Sequence, residues 1–99
     1  MDEVLAGGKG DDSVFGGQGN DLVFGGKGDD NVNGNGGDDF VSGGAGNDRV
    51  EGGAGNNVLV GGEGDDIIIA DGGSNTILYH EGDDWDRVYR FGEDDSVVV

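Results

Sequence analysis

The chain has no cysteine and no proline, one tryptophan, one histidine, and only five lysines and arginines among its 99 residues. Each shortage closes a route. Without cysteine there are no disulfides and no thiolate metal site, so any staple must be made of oxygen ligands. Five basic residues against 22 acidic ones leave a formal charge of −17, which repels nucleic acid and anionic membrane and attracts cations. No apolar run is long enough to insert in a bilayer, and the N-terminus lacks the basic and hydrophobic regions of a cleavable export signal. Hydrophobic residues make up 32% of the chain, too little for an ordinary core in one small domain.

What the chain has in excess is glycine, 25 residues recurring with a period of nine. GGKGDDSVF at residues 7–15, GGQGNDLVF at 16–24 and GGKGDDNVN at 25–33 overlay without a gap. The register runs on through GNGGDDFVS, GGAGNDRVE, GGAGNNVLV and GGEGDDIII, then weakens in ADGGSNTIL and YHEGDDWDR. Residues 1–6 read as the tail of another unit, with Leu5 in phase, so the sequence is expected to be a segment of something longer.

The unit is G-G-x-G-x-D-x-U-x, where U is a large aliphatic residue. Its first six positions predict a turn, because glycine accepts positive φ and close backbone approach. The fourth position is glycine in all nine units, from Gly10 to Gly82, even where the rest of the motif fades. Position U holds Val14, Val23, Val32, Val41, Val50, Leu59, Ile68 and Ile77, side chains suited to a short strand. A three-residue strand that buries one side chain cannot stand alone, so the units must stack and share a core. The residues flanking U alternate with a period of eighteen: Ser13, Phe15, Asn31, Asn33, Arg49 and Glu51 on one set of strands, Leu22, Phe24, Phe40, Val58, Val60 and Leu78 on the other. Two opposite faces explain this separation, which favours two strands per eighteen-residue turn over one strand per turn.

With that turn, residues eighteen apart stack about 4.8 Å from one another. The acids at position six then form two ladders, Asp12, Asp30, Asp48, Asp66 and Asp84, and Asp21, Asp39, Asn57 and Asn75. Carboxylates stacked so closely repel, and a cation between them is required. Calcium, with oxygen ligands at about 2.3–2.6 Å, fits that spacing better than the smaller, strictly octahedral magnesium.

These residues resemble the glycine-rich nonapeptide repeats of RTX proteins, which are secreted bacterial toxins, proteases, lipases and adhesins; the match is close over seven units, residues 7–69. The resemblance implies an all-β parallel β-roll over residues 1–78 with a C-terminal capping segment at 79–99. It implies about five or six calcium ions, held by Asp12, Asp21, Asp30, Asp39, Asp48, Asp66 and Asp84. Backbone carbonyls would complete the sites, from Gly8, Gly10, Gly17, Gly19, Gly26, Gly28, Gly44, Gly46, Gly62 and Gly64. Firm sites are expected between rungs 12/30, 30/48, 48/66 and 21/39, a further one at 66/84 and a weaker one at 39/57. None is expected at 57/75, where Asn57 and Asn75 replace aspartate. Asn35, in place of a second glycine, is expected to adopt left-handed backbone.

From Tyr79 the register breaks. Trp85, Tyr89 and Phe91 are expected to cover the last turn and residues 96–99 to add an edge strand, with Asp86, Val88 and Phe91 matching residues that recur in the family's capping segment. Residues 94–99 resemble the end of an uncleaved type I secretion signal. The resemblance thus implies a calcium-dependent folding module of a secreted or cell-surface bacterial protein. A spacer segment of an adhesin, or the targeting domain of an enzyme whose catalytic domain lies elsewhere, is the alternative.

No catalytic site is expected. His80 has no partner, the serines have no general base, and the carboxylates are symmetric rather than split into acid and base. Lysine followed by serine or threonine after the glycines is missing, which excludes a phosphate loop, and the spaced acids of an EF-hand are absent. The strict phase of U and aspartate argues against a flexible linker. The outward face of Leu22, Phe24, Phe40, Val58 and Val60 reads as a cross-strand ladder or as a contact with a parent-protein domain or a second copy.

Overall fold

A computed structural model describes residues 2–78, 87–89 and 95–98. Every regular element in them is a three-residue strand: β1 (Val4–Ala6), β2 (Ser13–Phe15), β3 (Leu22–Phe24), β4 (Asn31–Asn33), β5 (Phe40–Ser42), β6 (Arg49–Glu51), β7 (Val58–Val60), β8 (Ile67–Ile69), β9 (Thr76–Leu78), β10 (Arg87–Tyr89) and β11 (Ser96–Val98). Odd strands form one parallel sheet in the order β1-β3-β5-β7-β9-β11, and even strands form the other, β10-β8-β6-β4-β2. The chain therefore alternates sheets, and each turn of the solenoid contributes one strand to each. The expected parallel β-roll is the observed fold.

The register is set residue for residue. Val4 pairs with Leu22, Ser13 with Asn31 and Phe40 with Val58, each offset by eighteen. The offset changes at the C-terminal end, where Ile67 pairs with Arg87 and Thr76 with Ser96, twenty residues on. Two residues are inserted into the last turn. The nonapeptide phase read from the sequence therefore does not carry past Leu78, although both sheets do.

Between the sheets lies a single file of aliphatic side chains. Val23, Val32, Val41, Val50, Leu59, Ile68 and Ile77 are buried to 1% exposure or less, with Val14 half-buried against them at the N-terminal end. These are the residues at position U. Ala70 joins them at 1% exposure; it occupies the first position of its unit, where the seven preceding units have glycine. The outer faces differ as expected. On the odd sheet the rings of Phe24 and Phe40 lie 6.0 Å apart, tilted by 46°, a diagonal cross-strand contact. On the even sheet the Arg49 guanidinium meets Glu51 Oε1 at 3.0 Å.

Glycine at position four has a steric cause. Gly28, Gly37, Gly46, Gly55 and Gly64 all have φ between 95° and 104°, where a side chain is strained. Moreover, a Cβ at Gly28 would strike the carbonyl oxygen of Gly10, one at Gly46 that of Gly28, and one at Gly64 that of Gly46. The turns are stacked so closely that the carbonyl of one occupies the place of a side chain in the next. Asn35 has φ 67°, the one positive value outside glycine among the described residues, and its N–H is held by Asn33 Oδ1 at 2.8 Å.

Replacing Gly46 with alanine is expected to destabilise the roll by about 1–3 kcal/mol from backbone strain, with the carbonyl collision added. Gly36→Ala, where the added Cβ meets the end of the flexible Gln18 side chain, should cost far less. Chemical denaturation in calcium, followed by circular dichroism, checks the pair.

Candidate metal centre

Position six lies at the end of the glycine turn, just before each strand, and its side chain folds back into the turn. Asp21, Asp30, Asp39, Asp48 and Asp66 are 1–3% exposed, and Asp12, in an end turn, is half-buried. Burying a carboxylate is costly unless it is paired. One oxygen is. The N–H of Asp12 donates to Asp30 Oδ1 at 2.8 Å, that of Asp30 to Asp48 Oδ1 at 2.8 Å, and that of Asp48 to Asp66 Oδ1 at 2.8 Å. On the opposite edge of the roll, the N–H groups of Glu3, Asp21 and Asp39 donate to Asp21, Asp39 and Asn57 Oδ1 at 2.7–2.8 Å. The two expected ladders thus exist, and each rung reaches back to the backbone of the turn before it.

The other oxygen is not paired. Oδ2 of Asp12, Asp21, Asp30, Asp39 and Asp48 is buried without a hydrogen-bond partner. Each sits against the first glycine of its own unit, so that a Cβ at Gly7, Gly25 or Gly43 would come within 2.6–2.8 Å of it. Glycine at position one therefore makes room for the carboxylate.

The surroundings of Oδ2 are identified by the unit that carries an amide. A Cβ at Gly52 would meet Asn57 Nδ2 at 2.7 Å, as one at Gly43 would meet Asp48 Oδ2 at 2.6 Å, so the two atoms are equivalent. Asn57 Nδ2 faces the carbonyls of Gly53, Ala54 and Gly55 at 3.3, 3.5 and 3.4 Å. In an aspartate unit the same place puts a carboxylate oxygen that has no donor of its own among carbonyl oxygens. That donor set suits a hard cation bound by a carboxylate and backbone carbonyls. No group of three or more acidic or histidine side chains converges among the described residues, so any ion must draw on main-chain oxygens.

The carbonyls proposed from the sequence are placed accordingly. Those of Gly8, Gly10, Gly19, Gly26, Gly28, Gly44 and Gly46 point along the stacking axis at the next turn, where a Cβ would strike them. Gly17, Gly62 and Gly64 share the left-handed backbone of their counterparts. The carbonyl of Gly8 also accepts the Lys27 N–H at 3.1 Å. Asp84 lies outside the described residues, as do His80, Trp85, Asp86 and Phe91. An offset of eighteen would set Trp85 opposite Ile67, whereas the observed partner is Arg87, so the arithmetic that placed Asp84 after Asp66 does not hold in this turn. Tyr89 and Val88 lie in β10 and are 47% and 38% exposed.

Two features escaped the sequence reading. Asp95 continues the second ladder, its Oδ1 accepting the Asn75 N–H at 2.7 Å. The signal was present, since DDSVV at residues 94–98 repeats DDSV at 11–14, but the two-residue insertion hid its phase. The second is a pair of outer ladders at position five, which is aspartate or asparagine in every unit from Asp11 to Asp65. Asp11, Asp29 and Asn47 Oδ1 accept the N–H of Asp29, Asn47 and Asp65 at 2.8 Å. On the other edge Asp2, Asn20, Asp38 and Asn56 do the same for Asn20, Asp38, Asn56 and Ser74 at 2.7–2.9 Å. These reach forward to the next turn while position six reaches back, so adjacent loops are tied in both directions.

A stacked parallel solenoid whose glycine turns enclose inward carboxylates and carbonyls defines a metal-binding repeat protein. The comparison with known families agrees: the model of the RTX calcium-binding nonapeptide repeat, built of four copies, matches residues 1–32, 24–59 and 51–86. The chain belongs to this family and is a calcium-binding module of RTX type. No curated protein and no solved structure matches it.

Burial raises the pKa of Asp48 to about 7, helped by the charges of Asp30 and Asp29 and opposed by its hydrogen bond to the Asp30 backbone. Asp39 is raised by the same cause, with Asp21 and Asp38 adding. A carboxyl whose pKa is higher in the fold holds its proton more tightly there, so its contribution to stability is full below about pH 4 and is lost as the pH climbs toward 7. In calcium-free buffer the β signal in circular dichroism is therefore expected to be greater at pH 4.5 than at pH 7.5. Saturating calcium should reverse that order, because ions need the deprotonated carboxylate.

Proposed function

We propose that this chain is a calcium-dependent folding module of a bacterial RTX protein exported by the type I route, with the roll at residues 1–78 and a capping segment at 79–99. The observation that carries the reading is the row of buried Oδ2 atoms of Asp12, Asp21, Asp30, Asp39 and Asp48 without partners. Around each of them the glycine turn brings backbone carbonyls, some of which, like that of Gly8, also accept an N–H from the next turn. Bound calcium would supply the positive charge these oxygens require, with Asp12, Asp21, Asp30, Asp39, Asp48 and Asp66 and the carbonyls at positions two and four as its holders, about five or six ions in all.

The chain's own residues explain why folding would wait for the ion. One aliphatic side chain per strand fills the core, which offsets little of the entropy of ordering so glycine-rich a backbone. Buried carboxylates then add a cost that rises with each rung. Binding free energy becomes folding free energy. Extracellular calcium modules commonly bind at about 10⁻⁴–10⁻³ M, so low cytosolic calcium would leave the chain extended for export and the outside medium would fold it. The segment itself is proposed to be non-catalytic, serving a parent toxin, protease, lipase or adhesin. The Leu22, Phe24, Phe40, Val58 and Val60 face would meet a parent domain or a second copy.

Calcium titration of chelated protein is expected to produce a cooperative rise of β signal at near-millimolar concentration, with magnesium far less effective. An equal β signal with and without chelator at neutral pH and low salt would refute the proposal. Within the titration, Asp30→Ala should raise the calcium midpoint more than Asp11→Ala. Both remove a backbone acceptor, but only the first removes a buried oxygen facing the carbonyls.

A further inference from the structure

The second ladder departs from the first in the middle of its run, where Asn57 and Asn75 follow Asp21 and Asp39. Both asparagines are 1% exposed. Their orientation is decided by the network, because each Oδ1 must accept a backbone N–H, from Asp39 at 2.7 Å and from Asn57 at 2.9 Å. The Nδ2 group is thereby turned into the carbonyl cradle. In the 52–57 loop it meets three carbonyls, as described above. In the 70–75 loop it donates to the carbonyls of Asp71 and Gly72, both at 3.0 Å. An amide NH₂ has two donors and no lone pair to spare, so it brings partial positive charge where an aspartate brings negative.

We propose that Asn57 and Asn75 are internal substitutes for the cation: their side-chain amides close the 52–57 and 70–75 loops in the absence of metal and exclude calcium from them. The roll then has two unlike edges. Along one, Asp12, Asp30, Asp48 and Asp66 all present carboxylate; along the other, the run of carboxylates is interrupted between Asp39 and Asp95. The stretch carrying β7 and β9 is accordingly the least calcium-dependent part of the fold, a pre-closed surface against which the metal-dependent turns stack. Asn75 donates to the carbonyls of Asp71 and Gly72, the counterparts of Gly53 and Ala54 in the 52–57 loop.

The inference rests on the calcium reading above, and the test separates the two. Native mass spectrometry and circular dichroism in a calcium series would compare the natural chain with Asn57→Asp/Asn75→Asp and with Asp48→Asn. The double variant is expected to bind at least one more ion at saturation and to need a several-fold higher calcium concentration for half-folding. Asp48→Asn is expected to bind at least one fewer ion and to keep its β signal at saturation. Equal ion counts in all three proteins would overturn the inference while leaving calcium-dependent folding intact. So would an Asp48→Asn protein that fails to fold in excess calcium, because an amide would then be unable to close the loop. If the natural chain binds no calcium at all, the functional reading fails and the inference with it. Should the double variant not fold even in excess calcium, Asp48→Asn decides alone.

Discussion

The structure depends on what becomes of one oxygen atom. At position six the backbone needs an acceptor for the N–H of the preceding turn, and a short side chain with two oxygens supplies it through Oδ1. The second oxygen is then carried into a loop whose carbonyls already converge, out of reach of water and of any donor. The same side chain that ties successive turns together therefore places an uncompensated charge between them. A residue with one oxygen would leave the ladder without its cation site, and a longer one would not fit beneath the glycine at position one.

Glycine and aspartate are for this reason one device rather than two compositional features. Position one must lack a side chain because Oδ2 occupies the space, and position four because the carbonyl of the turn below does. Left-handed backbone at positions two and four aims those carbonyls along the axis. The outer ladder at position five closes the loop from the other side, with hydrogen bonds running the opposite way. Little is asked of hydrophobic burial; the aliphatic file keeps the two sheets in register, and the loops set the spacing of the turns.

The weakening of the motif toward the C-terminal end follows the same physics. Where Asn57 and Asn75 replace aspartate, the carbonyls meet amide donors. Where two residues are inserted, the sheets continue and the ladder resumes at Asp95. A solenoid tolerates such changes because each turn contacts only its neighbours.

The sequence by itself determined the period, the identity of the buried file, the two unlike sheet faces and the membership of the two acid ladders as far as Asp66 and Asn75. These are properties of a repeat: any stack with two strands per eighteen residues puts Val23 over Val41 and Asp30 over Asp48, whatever the detailed path of the loops. Only the tertiary structure decided which oxygen of each carboxylate is used, that position five forms a ladder of its own, that the asparagine amides turn into the carbonyl cradle, and that the last turn is twenty residues long. Those depend on the direction of N–H and C=O groups in turns of positive φ. A pattern of residue types does not encode that direction until neighbouring turns are stacked on one another.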